Sequence, residues 1–260
     1  MENELKEKIT REYSRRISGK SGCCGSRASI SDTPGFTPSN CSGSDSCCSG
    51  DPDNELEGLG EEAGKQSFGC GNPVGLSSIV PGDIVVDLGS GAGIDSLMAA
   101  KSAGESGKVT GIDLSDEMIR KARENTDKLQ LGNRVMFLKG DIENVPLEDN
   151  FATLVISNCV LALAPDKQKV FDEVYRILKP GGRFVVSDVV SEQQIPQELV
   201  ENTELYVSCV TGAAQVDQYY SMIRKSGFSR VEEVVRQDYG TISHGQESIR
   251  MFSITVRGYK

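Results

Sequence analysis

From Asp83 onward, short β-rich apolar runs alternate with longer stretches in which apolar residues recur every three or four positions. The runs "IVVDLG", "KVTGID", "RVMFLKG", "FATLVISN" and "RFVVSDVV" predict strands. Between them "GIDSLMAAKSAG", "SDEMIRKARENTDKLQ" and "DKQKVFDEVYRILKPGG" predict helices. Such alternation predicts an α/β domain, a parallel sheet with helices on both faces. Further on, "PQELVENTELYVSC" predicts a helix ending near Cys209 and "VDQYYSMIRKSGF" another. The last two strand-like runs, "SRVEEVVRQDYG" and "IRMFSITVRGYK", are joined by a short polar link containing Gly245 and predict an antiparallel hairpin at the sheet edge.

The first 67 residues follow no such rhythm. Residues 2–17 place Leu5, Ile9 and Tyr13 four apart, as on one face of an amphipathic helix. From Ser18 to Asp53 the chain is rich in Ser, Gly, Pro, Asp and Cys, and poor in large apolar residues. That composition predicts a flexible, cysteine-bearing segment. Residues 54–67 predict a short helix, and "GCGNP" a turn around Cys70. The expected organisation is an N-terminal attachment over 1–67 and one folded domain over 68–260.

Charge and composition narrow the chemistry. A formal net charge of -10 with no basic run argues against nucleic acid as a partner. No apolar run approaches membrane length and the first sixteen residues have no secretory core, so the expectation is a cytoplasmic protein with no membrane partner. One histidine, His244, leaves little material for His-based zinc sites or Ser-His-Asp hydrolysis. Eight cysteines in such a chain point instead to metal binding or redox work. Their spacing has no C-x-x-C pair, which disfavours zinc.

The strand "IVVDLG" runs into Gly89-Ser90-Gly91-Ala92-Gly93 and then a helix. Glycines let a ligand approach the backbone closely. A dinucleotide fingerprint would need glycine at Ile94, and a P-loop its Lys-Ser/Thr ending; neither is present. The pattern is D-x-G-x-G-x-G, with Asp87 placed to receive an ammonium group. Asp113 closes the next strand, 24 residues past Gly89, where an acid accepts ribose hydroxyls. Asp141, in "GDIENVP", ends a third strand within reach of an adenine amino group.

These residues resemble the class I S-adenosylmethionine-dependent methyltransferases, over about residues 80 to 190. The resemblance implies a Rossmann-like, doubly wound, mostly parallel seven-stranded sheet. It implies S-adenosylmethionine as cofactor, with Gly89, Ser90, Gly91 and Gly93 at its methionine part, Asp113 on the ribose, and Asp141, Ile142 and Glu143 around the adenine. Met118 packs on the adenine face or, equally, is plain helix-to-sheet packing. Asn158, after the fourth strand, lines the pocket. The Asn/Asp-Pro-Pro-aromatic motif of nucleobase amine methylation is replaced there by Ser157-Asn158-Cys159-Val160.

Taken singly, Cys159 and Cys209 read as buried packing, whereas Cys70 sits between two glycines in a turn. In context, "SFGCGNPVGL", "DLGSGAGID", "DEMIRKAREN", "LKGDIENVPL", "ISNCVLAL", "LKPGGRFVVSDVV" and "ELYVSCVTGA" are similar to the arsenite methyltransferases, over about residues 65 to 230. That resemblance implies trivalent arsenic, arriving as arsenite or its thiol conjugates, bound by the thiolates of Cys70, Cys159 and Cys209 and methylated, for arsenic detoxification. It implies a fourth, redox cysteine in the N-terminal part. Cys41 is the first choice, followed by Cys47 and Cys48; five N-terminal cysteines stand where the family needs one. A thiol reductant, thioredoxin- or glutathione-like, is the implied partner. Two alternatives remain: a small-molecule C- or O-methyltransferase of the same fold, and a thiol-rich arsenic- or metal-binding protein.

Overall fold

The computed structural model describes residues 6–8, 10–11, 36–39, 70–200, 206, 209–245 and 247–260. Residues 6–8 and 10–11 are helical, within the stretch expected to form a helix. The expected helix at 54–67, most of the cysteine-rich segment, and Cys41, Cys47 and Cys48 lie outside the described residues.

In chain order the elements are β1 (Phe36–Pro38), α1 (Pro73–Leu76), β2 (Ile84–Leu88), α2 (Ile94–Ser102), β3 (Lys108–Asp113), α3 (Asp116–Lys128), β4 (Val135–Lys139), β5 (Ala152–Asn158), a 3-10 turn (Leu161–Leu163), α4 (Lys167–Ile177), β6 (Leu178–Ser191), α5 (Gln197–Val200), β7 (Ala214–Gln215), α6 (Val216–Lys225), β8 (Arg230–His244) and β9 (Glu247–Tyr259). One sheet runs β1-β8-β9-β6-β5-β2-β3-β4, with β7 beside β6. Strands β2 to β6 pair in parallel, and β8 and β9 form the antiparallel hairpin. The seven long strands are those expected from the sequence. The three-residue β1 and two-residue β7 extend the sheet to nine strands. Runs so short carry no periodicity by which a sequence could announce them.

Local chemistry explains where the helices start. Asn72 Oδ1 accepts from Gly75 N at 2.8 Å, and Pro73 fills the first position of α1. Ser115 caps α3 through Met118 N, ahead of Asp116 and Glu117 in the first turn. Asp166 caps α4 through Lys169 N. Along α3 the buried residues Met118, Ile119, Ala122, Asn125 and Thr126 recur at helical spacing and face the sheet. On one face of the sheet Leu97, Ala100, Ile119 and Ala122 pack over Val85, Leu154 and Ile156. On the other, Phe171, Val174, Tyr219 and Ile223 pack over Val86, Val155 and Val186. Of the predicted helix over 196–209, residues 197–200 and Tyr206 are helical; residues 201–205 and 207–208 lie outside the described set.

Strand order reverses at β2, which has β3 on one side and β5 on the other. The registers Leu88↔Ser157 and Leu88↔Ile112 level the carboxyl ends of β2, β3 and β5, while β6, paired Asn158↔Ser187, runs on to Ser191. Ligands of open parallel sheets bind at such a reversal. No helix among the described residues is long and apolar enough to cross a membrane.

Candidate functional site

The glycine turn after β2 sits at the reversal point. Gly89, Gly91 and Gly93 have φ of +71, +52 and +86, backbone that side chains rarely adopt. A Cβ on Gly89 would lie 2.4 Å from Val160 Cγ2, and one on Gly93 2.7 Å from Phe137 Cζ. At Gly91 the space is open, with only Met118 Cε at 4.0 Å. Gly91 is therefore the member of the turn with open space beside its backbone.

The turn's amides are already spent. Gly89 N and Ser90 N donate to Ile112 O at 2.8 and 3.0 Å, Gly93 N to Ser90 O at 2.8 Å, and Gly91 N to Asp113 Oδ2 at 2.9 Å. A phosphate cradle needs free amides, so this turn is unsuited to a pyrophosphate. It offers a close approach and a ring of acids instead. Ser90, expected at the cofactor, turns its side chain toward β3, since a Cβ on Gly111 would meet Ser90 Cβ at 2.8 Å. Ser90 is absent from the cleft lining.

A cleft of about 830 Å³ opens from this turn, lined by Gly89, Gly91, Asp113, Met118, Asp141, Ile142, Glu143, Asn158 and Cys159 among others. Asp113 Oδ1 holds Ser115 N at 2.8 Å, and burial raises its carboxyl above the ordinary value against the bonds from Ser115 and Gly91. Met118 is buried and lines the cleft, so it serves packing and cleft wall at once. Asp87 and Gly93 stand behind the lining. Asp87 accepts from Ser96 Oγ at 2.6 Å, and burial, with Asp95 beside it, pushes its carboxyl up to about 8. Asp95 is itself raised by burial, against a hydrogen bond from Asn158.

Three contributors were missed from the sequence. Asp95 extends the glycine motif by two residues and carried no separate signal beyond its place in the first turn of α2. Lys6 Nζ reaches Asp141 Oδ2 at 2.7 Å and Glu143 Oε2 at 2.6 Å, and Thr10 lines the cleft beside it. Burial opposes the Lys6 charge, but the two carboxylates outweigh it and hold the amine above its usual range. Nothing local in "KEKIT" signals a partner some 135 residues away.

At Cys159, which lines the cleft, the three cysteines come together in one buried cluster. Cys70, Cys159 and Cys209 are all buried, free, and part of one apolar cluster with Phe36, Tyr206 and Met251. Cys159 is hydrogen-bonded through its thiol to both of the others, and Cys209 Sγ donates to Cys159 O at 3.2 Å. The bonds to Cys209 and Cys70, and then burial, hold the Cys159 thiol well above its ordinary value. For Cys70 the bond from Cys159 pulls down, but burial with Asp188 and Cys209 nearby outweighs it. Among the described residues no group of three His, Cys, Asp or Glu side chains is placed to hold a metal ion. The trio packs as one buried cluster.

Cys159 and Cys209 share an unusual backbone, with φ of +60 and +62. Left-handed non-glycine residues store strain and concentrate at functional sites. Cys159 N donates to Ser187 O at 2.8 Å and Cys209 N to Tyr206 O at 3.0 Å, bonds that hold both turns in place. The Cys70 turn is pinned from two sides: Ser253 Oγ donates to Cys70 O at 2.6 Å, and Asn158 Oδ1 accepts from Cys70 N at 3.0 Å.

A doubly wound sheet, a cation-suited glycine turn and an acid at each following strand end define a class I methyltransferase of the S-adenosylmethionine-dependent kind. The methyltransferase-domain family model matches residues 79–227. An arsenite methyltransferase of Halobacterium salinarum is 38% identical over 239 residues, covering 88% of this chain and 58% of that protein. The human arsenite methyltransferase is 33% identical over 186 residues, 66% of this chain and 48% of its own. Among solved structures, the arsenic(III) S-adenosylmethionine methyltransferase of Chlamydomonas reinhardtii superposes with a TM-score of 0.70 at 34% identity, over 80% of this chain and 73% of that one. The chain belongs to the arsenite methyltransferase family. It spans about half to three-fifths of the length of the curated relatives named here.

Proposed function

We propose that the protein methylates trivalent arsenic held by Cys70, Cys159 and Cys209. The observation that carries this is the meeting of three buried thiols, from positions up to 139 residues apart (209 − 70), in one cluster whose member Cys159 also lines the cleft suited to S-adenosylmethionine. Arsenic(III) is soft and prefers sulfur. Replacing the three hydroxyls of arsenous acid by three thiols releases three waters and leaves no net proton to place. Three sulfurs leave the arsenic lone pair free.

S-adenosylmethionine, when bound, supplies an electrophilic methyl to which that lone pair can bond. The chain's own part is positioning and exclusion of water. Gly91 allows close approach. Asp113, Asp141 and Glu143 offer acceptors to the nucleoside, and the Asp87–Asp95 pair offers negative charge to an ammonium group. Cys159 borders both the cleft and the thiol cluster, which puts it at the junction of the two substrates. No proton relay is required, which agrees with a chain holding one histidine.

Methyl transfer uses the arsenic lone pair and leaves arsenic two electrons more oxidised. Two thiols can return those electrons by closing a disulfide, which an external dithiol or glutathione-like reductant reopens. Phe36 lies in the thiol cluster, and β1 ends at Pro38, three residues before Cys41. A three-residue span covers at most about 11 Å, which supports Cys41 as the first candidate for that step. Cytoplasmic residence is the setting that a reducible thiol set requires.

The test is direct. Purified protein is incubated with arsenite, S-adenosylmethionine and a thiol reductant, and arsenic species are separated by chromatography with elemental detection. Methylated arsenic is expected; its absence while S-adenosylhomocysteine still binds would return the protein to the small-molecule methyltransferase reading.

A further inference from the structure

Asn158 spans the gap between the two halves of the site with every hydrogen-bonding position of its amide in use. Its Oδ1 accepts from Cys70 N at 3.0 Å and from Gly71 N at 3.3 Å. Its Nδ2 donates to Gly71 O at 3.0 Å and to Asp95 Oδ2 at 2.9 Å. An amide has two donor hydrogens and two acceptor lone pairs, so one side chain clamps the Cys70 turn with three bonds and the acid pair behind the glycine turn with the fourth. It also lines the cleft and directly precedes Cys159.

We infer that Asn158 is a positioning residue that couples cofactor binding to the placement of the Cys70 thiol. Asp87 and the half-buried Asp95 are both held toward their neutral forms, and the hydrogen bond from Asn158 opposes this at Asp95. A bound ammonium group draws the acid pair toward the charged form. That strengthens the Asn158 Nδ2 bond to Asp95 Oδ2, and the pull acts on the amide that also holds Cys70 N and Gly71. The Cys70 turn has little slack, because a Cβ on Gly71 would already meet Ser187 Oγ at 2.6 Å. Coupling between two binding sites is reciprocal, so the arsenic-free position of Cys70 reports on the cofactor site. The inference rests on the proposed cofactor and thiol roles, but the thiol's placement can be read without arsenic.

The experiment measures the rate at which iodoacetamide alkylates Cys70 in the full chain, by mass spectrometry, with and without saturating S-adenosylhomocysteine. S-adenosylhomocysteine carries the ammonium group. In the unaltered protein it is expected to change the Cys70 rate by about 5-fold or more. In Asn158→Ala the change is expected to fall below about 2-fold, while the ligand still binds and the melting temperature shows a folded protein. Asn158→Asp, isosteric and able to accept from Cys70 N but unable to donate to Asp95, is the second variant and is expected to lose the coupling as well. A Cys70 rate indifferent to S-adenosylhomocysteine in the unaltered protein, or a full response in either variant, would overturn the inference. Separate titration with phenylarsonous acid tests the arsenic reading: a coupled Cys70 that binds no arsenical would sink that reading alone.

Discussion

The cofactor rim of the cleft and the thiol cluster that adjoins it at Cys159 as a floor are built on opposite principles. The rim gathers Gly91, Asp113 and Asp141 from the ends of β2, β3 and β4, each at the same level of one parallel sheet. Its pieces are local turns, and each would form wherever the sheet forms. The floor gathers Cys70 from before the first parallel strand, Cys159 from after β5 and Cys209 from after α5, two of them in left-handed backbone. It has no local unit at all. The rim is a property of the fold, whereas the floor is a property of this chain's long-range contacts, and a substitution can remove the floor while the rim persists.

The strongest way to break that asymmetry is to remove one sulfur. Cys159→Ser or Cys209→Ser is expected to lower arsenic methylation at least about 100-fold, because two-thiol sites hold arsenic(III) less firmly and leave it free to reorient. S-adenosylhomocysteine affinity, read by calorimetry, is expected to stay within about 2-fold. A parallel loss of cofactor binding would show that rim and floor are one unit.

The reciprocal change is Asp113→Asn, which keeps a shape and an acceptor but removes a charge from the rim. A hydrogen bond to a charged group is worth about 1.5–3 kcal/mol, so the S-adenosylhomocysteine Kd is expected to rise about 10-fold or more. Arsenical affinity, measured by titration with phenylarsonous acid, is expected to hold in the absence of cofactor.

A finer test concerns the packing that fixes Cys70. Gly71→Ala forces a Cβ to within 2.6 Å of Ser187 Oγ and 2.7 Å of Ser187 Cβ. The turn must shift, and about a 10-fold loss of methylation is expected from misplacement of the thiol. Adding Ser187→Gly removes both clashing atoms and is expected to restore part of the activity. A double-mutant cycle then measures the coupling.

The same contrast explains what the sequence could and could not disclose. The run of Asp87, Gly89, Gly91 and Gly93 predicted the turn because its chemistry is contiguous, and Asp113 and Asp141 followed from strand ends. Cys159 alone looked like packing, and by burial it is packing. The role proposed for it rests on Cys70 and Cys209 being brought to it, which their matching contexts in a known family anticipated and periodicity could not. Asp95 escaped because an acid in a helix's first turn has a sufficient local reason to be there. Lys6 escaped because its carboxylate partners on the loop after β4 are reached only through the fold. Ser187 and Ser253 look unremarkable in sequence, and Asn158 was expected only as a pocket lining; the bonds of all three to the Cys70 turn and to Cys159 beside it depend on the sheet register.

The smallest effect, and the one that sharpens the rim's side of the comparison, is protonic. Burial and the neighbouring Asp95 raise Asp87 to about 8, against an ordinary carboxyl near 4. Between those values the folded chain holds a proton that the unfolded chain has lost. The sign of the linkage is then fixed: Asp87 makes stability fall as pH rises from about 4 to about 8, with the penalty complete above the folded value. Cofactor binding works the other way. An incoming ammonium group lowers the pair's proton affinity, so binding releases protons and tightens as pH rises. Between pH 6 and 7.5, S-adenosylhomocysteine binding followed by calorimetry in buffers of different ionisation heat is expected to release up to about one proton, with affinity rising a few-fold across that range. Asp87→Asn is expected to abolish most of the release and to flatten the stability slope, while leaving the thiol floor's affinity for phenylarsonous acid unchanged. Proton release that survives in Asp87→Asn would move the titrating group to Asp95 or Asp113. The rim would still be acid-driven, but its charge would come from the acids nearer the cleft.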